Sequence, residues 1–120
     1  MKVRVRRASV AMGDDTLAPH EKWIDLPADC THERLVKATS RNYLASIIGG
    51  KATWVAWLSD APDTLQCPIA VLAQQWRSPR VLSPDARRAP GEDYVYFTYL
   101  AQRDPLDILD RVLTGRPMID

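Results

Sequence analysis

Several residues have side chains that could do chemistry, and their spacing decides whether they can. Asp14 and Asp15, with Asp25, Asp29 and Glu33 further along, are potential ligands for a divalent cation. Calcium loops place carboxylates at alternate positions and a glycine sixth, and this run does neither, so a solvated acid-rich turn accounts for it. His20 and His32 are the two histidines, and neither has a Cys or Asp partner at metal-ligand spacing. Cys30 and His32 could pair as nucleophile and base. Side chains two apart on a helix do not face each other, however, and a helix N-terminus disfavours a charged imidazole. The serines lack a G-x-S-x-G elbow. These patterns predict no catalytic residue, no metal site and no cofactor. The competing reading is a small metal-dependent nuclease or hydrolase using Asp14, Asp15 and His20 from one loop.

Residues 47–54, "IIGGKATW", invite comparison with a phosphate-binding loop. That motif needs G-x-x-x-x-G-K-[ST] between a strand and a following helix. Here Ala45 stands five before Gly50, Ala52 replaces the metal-binding hydroxyl, and the helix comes first. The backbone at that point would present the negative end of a helix dipole, which repels phosphate. The stretch reads as a helix stop and a strand entry.

The arginines and tryptophans suggest recognition. Lys2, Arg4 and Arg6 share one parity of the first segment, and Arg77, Arg80, Arg87 and Arg88 crowd a later loop. Basic side chains beside tyrosines can form a nucleic-acid platform. A net charge of +1, from 16 Lys and Arg against 15 Asp and Glu, argues against a dedicated nucleic-acid binder. Trp76, flanked by Gln74, Gln75 and Arg77 where a strand runs into a proline-rich loop, has the composition of an interface anchor with a polar rim. Gln74, Gln75, Trp76, Arg77, Arg80, Arg87 and Arg88 are therefore the candidate partner-binding set. The Lys2-Arg4-Arg6 face is the second choice.

The elements that must position these residues follow from periodicity. Val3 and Val5 against Lys2, Arg4 and Arg6 give a half-buried strand. The apolar parity moves to Ala8, Val10 and Met12, which predicts a bulge at Arg6-Arg7. After a turn-rich stretch, "EKWIDLP" forms a second strand, closing a hairpin with a long loop. A helix is expected over 31–46, with Thr31 as N-cap, Glu33 in the first turn and a stop at Gly49-Gly50. Its apolar face holds Leu35, Ala38 and Asn42 beside Val36, Thr39 and Tyr43. Residues 52–58 and 69–73 are nearly continuously apolar, as central strands are, and the opposite parity of Trp54 and Trp57 puts them on opposite sheet faces. Residues 77–93 form a surface loop with room for one short strand or turn. "DYVYFTYLA" is an aromatic strand. A last helix starts from Asp104 as N-cap and Pro105 at N1 and stops at Gly115, with Leu106, Ile108 or Leu109, and Leu113 inward. The result is one α+β domain over residues 1–120. A mixed sheet of about five strands carries one main helix in a β-grasp-like arrangement, and a C-terminal helix covers part of the sheet or its edge.

With 120 residues, 46% of them apolar, the chain can bury a core without metal or disulfide support. Cys30 and Cys67 have no CxxC spacing and read as two reduced, partly buried thiols. No apolar run is long enough to span a bilayer, and "MKVRVRRASV" has no secretory pattern, so the cytoplasm is the expected compartment.

"RRASVAMGDD" at 6–15, "GGKATWVAW" at 49–57 and "IAVLAQQW" at 69–76 resemble a group of small, uncharacterised bacterial proteins. Some of these are found beside toxins of contact-dependent growth inhibition or related polymorphic-toxin systems. The resemblance covers most of the chain and includes no catalytic motif. It implies an immunity protein, a non-enzymatic cytoplasmic domain that binds and neutralises a cognate toxin domain. Membrane, nucleic-acid and small-molecule partners are not expected. Immunity proteins against basic nucleases are typically acidic, and this chain departs from that pattern.

Overall fold

A computed structural model describes residues 2–7, 21–41, 51–61 and 64–117. They form β1 (Lys2–Arg7), β2 (Glu21–Asp25), α1 (His32–Ser40), β3 (Thr53–Ser59), β4 (Cys67–Ala73), β5 (Arg80–Val81), β6 (Tyr94–Tyr99) and α2 (Pro105–Thr114). The strands make one six-stranded sheet in the order β2-β1-β6-β3-β4-β5. β1 and β6 pair in parallel and every other neighbouring pair is antiparallel. An opening hairpin, a helix, and a last strand inserted beside the first realise the β-grasp-like α+β expectation. β5 is the short strand allowed for inside the long loop.

Each face of the sheet has its own apolar cluster. Val3, Val5, Trp54, Leu58 and Phe97 pack with Leu35 and Val36 of α1. Val55, Val71 and Leu100 pack with Ile108 and Leu109 of α2. The two helices thus cover opposite faces, and β3, serving both clusters, is buried along almost its whole length. Fully burying a large apolar side chain contributes about 1.5–3 kcal/mol, so these clusters dominate folding. Trp54 belongs to the α1-side cluster and Trp57 packs against the α2-side cluster, as their parity requires.

The termini of both helices follow from local chemistry. The Thr31 hydroxyl accepts from the Arg34 amide at 3.2 Å. Early amides of α1 find loop carbonyls, with His32 donating to Ala86 at 2.8 Å and Glu33 to Pro84 at 3.3 Å. Asp104 caps α2 by accepting from the Leu106 amide at 3.1 Å, and Gly115 closes it at φ 72°, a conformation that favours glycine.

Three expectations are corrected. Pairing of β1 runs without a register shift to Arg6 against β2 and to Arg7 against β6, so there is no bulge at Arg6-Arg7. Arg7 simply continues the inward parity of Val3 and Val5 and is buried; Ala8, Val10 and Met12 lie outside the described residues. The bulge is instead on β4, where register shifts opposite Ala56/Trp57, next to Pro68, which has no amide to donate. α1 ends at Ser40, with Arg41 extended. Within the last turn the Thr39 and Ser40 hydroxyls donate back to the Leu35 and Val36 carbonyls, each at 2.7 Å, bonds that are compatible with the helix and only weaken it slightly. Asn42, Tyr43, Gly49 and Gly50 lie outside the described residues. Finally, Leu106 and Leu113 point outward, 64% and 63% exposed. The inward stripe begins at Pro105 and continues through Ile108, Leu109 and Val112, at helical spacings of three, four and seven.

Candidate functional site

The predicted binding set begins in the β4–β5 connection. Gln74 extends the β3–β4 ladder, its amide donating to the Ala52 carbonyl at 2.8 Å and its Oε1 accepting from the Ala52 amide at 3.2 Å. The Trp76 amide closes a turn onto the Ala73 carbonyl at 3.0 Å. This turn holds the Trp76 indole half-buried against the cluster beneath α2. Gln75, Arg77 and Arg80 are exposed around it, with Arg80 on the edge strand β5.

Arg87 and Arg88 do not join that group. They lie beside the start of α1, where residue 87 bridges Thr31, on the side of the sheet opposite the Trp76 cluster. Arg87 is exposed and donates to the Asp29 carbonyl at 2.9 Å, with the Asp29 carboxylate at 3.6 Å. The Arg88 side chain is only 3% exposed. Its guanidinium bonds the Glu92 carbonyl at 2.7 Å, the Ala28 carbonyl and the Asp93 carboxylate. Arg88 therefore ties the β2–α1 connection to the loop before β6 and presents no docking surface. The sequence sets two arginines side by side, and only the carbonyls supplied by Ala28 and Glu92 distinguish the structural one.

A second surface is assembled by cross-strand register. α2 packs against Val55 of β3 and Val71 of β4, and on the β2 part of the same face Trp23 and Asp25 are exposed. Lys2, Arg4 and Arg6 point there from β1, directly opposite Asp25, Trp23 and Glu21 on β2. Tyr94 and Tyr96 of β6 continue the rows from Arg4 and Arg6. Trp23 is 57% exposed. The Arg4 guanidinium lies 5.9 Å from its ring centroid and bonds Glu21 at 2.6 Å; Arg6 is 3.7 Å from the same carboxylate. The Arg4 hydrogen bond holds the Glu21 carboxyl below its ordinary value. Trp23 was legible in the alternation of Glu21, Trp23 and Asp25 against Lys22 and Ile24, but sequence reasoning passed it over.

Among the described residues the titratable groups do not converge on a reaction centre. Burial pushes the His32 imidazole down, against the opposing charge of Glu92, and pushes the Cys67 thiol up. Cys30 and Cys67 are free thiols, the first buried and the second exposed. Among the described residues no group of three His, Cys, Asp or Glu is placed to hold a metal ion, and no helix is long and apolar enough to cross a membrane. Asp14, Asp15 and His20 lie outside the described residues. An open hollow of about 500 Å3 lies beside the end of α2, lined by Trp57, Leu65, Tyr99, Leu100 and Pro117 among others. The Trp57 indole N–H in it is already bonded to the Thr98 hydroxyl at 3.0 Å.

No protein-family model, curated protein or solved structure matches this chain.

Proposed function

We propose that this chain is a non-catalytic binding protein of the immunity type, which docks a cognate toxin domain and blocks its activity. The observation that carries the reading is Trp76, half-buried on a hydrogen-bonded turn with exposed Gln75, Arg77 and Arg80 near it in the chain. A large side chain held in place before binding loses little entropy when a partner covers it, and Trp and Arg are the residues most enriched among energetic anchors. The two cations Arg77 and Arg80, exposed beside Trp76, suit a partner whose active site is acidic, and charge complementarity of that kind chiefly speeds encounter. The resemblance to proteins found beside polymorphic toxins names the class of partner.

The test is identification of a toxin domain encoded by a neighbouring gene, co-expression with it, and calorimetric titration of the two purified proteins. Growth is rescued and a complex forms. Trp76→Ala weakens the complex by roughly 2 kcal/mol or more while thermal unfolding stays cooperative. Arg77→Glu combined with Arg80→Glu leaves the α2-side packing untouched and slows association. Undiminished affinity in both folded variants moves the docking site elsewhere. Turnover of nucleic acid by the purified chain, dependent on a divalent metal and lost in Asp14→Ala, replaces the binding reading with an enzyme.

A further inference from the structure

The β2-β1 face opposite α1, on which Trp23 is 57% exposed, carries two charged columns of opposite sign. Lys2, Arg4 and Arg6 form the first and Asp25, Trp23 and Glu21 the second, and each residue stands level with its counterpart across the hairpin. We propose that this face is a self-association surface, covered by the same face of a second copy of this chain.

Consider a two-fold axis parallel to the strands and midway between β1 and β2, with the sheets stacked face to face. Rotation about such an axis preserves height along the strands and exchanges the two columns. Lys2 of one copy then meets Asp25 of the other, Arg6 meets Glu21, and Arg4 meets the exposed Trp23, all three contacts occurring twice as an isologous interface requires. Every cation faces an anion or an aromatic ring, and no like charges are opposed. Sheets pack about 10 Å apart, a gap that long Arg, Lys and Glu side chains fill. The rotation also places each α2, which covers β3 and β4, outside the partner's β2 edge, so helix and opposing sheet do not collide. A single-stranded nucleic acid fits the same face less well, because two of its six side chains are carboxylates and a polyanion would bury both against phosphate.

The overlap of two strands from each copy is roughly 700 Å2 in total, below the ~1,200 Å2 of stable complexes. Association is accordingly weak, with Kd on the order of 0.1–1 mM.

Sedimentation velocity over a concentration series up to about 1 mM tests this, since that range brackets the expected Kd. The unmodified chain shifts reversibly from monomer to dimer. Trp23→Ala weakens the dimer at least about tenfold, the range of an anchor residue. Arg6→Glu and Glu21→Arg each abolish self-association, because each opposes like charges at both copies of one contact. An equimolar mixture of these two variants associates again. In the mixed pair the carboxylate introduced by Arg6→Glu meets the guanidinium introduced by Glu21→Arg, and the unchanged Glu21 of the first variant meets the unchanged Arg6 of the second. Thermal melts confirm that the variants are folded, and the mixing step separates the contact between copies from the Arg6–Glu21 pair within one. A wild-type chain that stays monomeric throughout, single variants that still dimerise, or a mixture that fails to recover would each overturn the proposal. So would oligothymidylate binding by a monomeric chain that tightens in Glu21→Arg, which would assign the face to a polyanion.

Discussion

Arg88 and its neighbour Arg87 differ only in what the fold brings to them. Arg88 is enclosed, with carbonyls of Ala28 and Glu92 and the carboxylate of Asp93 around its guanidinium. Arg87 is 64% exposed beside a still more exposed Asp29. Truncating a buried, multiply bonded ion leaves its partners unsatisfied, so Arg88→Ala destabilises the fold by about 2–3 kcal/mol. Arg87→Ala changes stability by less than about 1 kcal/mol, as solvent-exposed pairs do. Urea unfolding of the two variants checks the contrast, and equal effects would contradict the assignment. His32 adds a pH dependence of defined sign. Its folded pKa lies below the ordinary 6.5 because of burial, so unfolding takes up protons. Its contribution to stability is therefore complete above that ordinary value and is lost as pH falls through 6.5 toward the lower folded value. His32→Gln flattens that part of the melting-temperature profile. In this pair of arginines the sequence showed a basic cluster and could not show which member was structural, because the deciding carbonyls come from distant segments.

At the scale of elements, α2 separates what is local from what is not. Its ends were legible because caps are made within one turn. Asp104 accepts from Leu106, and Gly115 takes the left-handed conformation. Asp104→Ala costs about 1 kcal/mol in thermal or urea unfolding, as loss of an N-cap does. Its buried face was misjudged by one position. Leu106 and Leu113, seven apart, are as self-consistent a stripe as Pro105, Ile108, Leu109 and Val112, and only the packing of the second set against Val55 and Val71 of the sheet distinguishes them. Leu106→Gln therefore shifts stability by no more than about 0.5 kcal/mol, whereas Ile108→Ala costs about 2–5 kcal/mol. A large loss from Leu106→Gln would mean that the stripe is assigned to the wrong side. α1 has the same division, its start readable at Thr31 and its end, at Ser40 before an extended Arg41, marked by no glycine in the sequence.

For the whole molecule, the parallel pairing of β1 with β6 joins opposite ends of the described chain in the middle of the sheet. The loop between them must close before either strand gains its ladder, so contacts of this kind slow folding. Refolding is expected in milliseconds to seconds, and stopped-flow tryptophan fluorescence measures it; completion within microseconds would be incompatible with this topology. The same pairing aligns Tyr94 and Tyr96 with Arg4 and Arg6, so that face is built by the last strand as much as by the hairpin.

The sequence by itself determined the strands and helices, the N-caps of both helices and the glycine stop of the second, the opposed faces of Trp54 and Trp57, and the absence of a phosphate-loop pattern. Each depends on residues a few positions apart, through side-chain alternation, hydroxyl or carboxylate capping and glycine conformation. The tertiary structure alone decided the sheet order, the burial of Arg88, the separation of Arg87 from Trp76, and the columns of opposite charge around Trp23. Those depend on strand register and on which loop carbonyl meets which side chain, contacts between segments whose separation along the chain leaves no periodic trace.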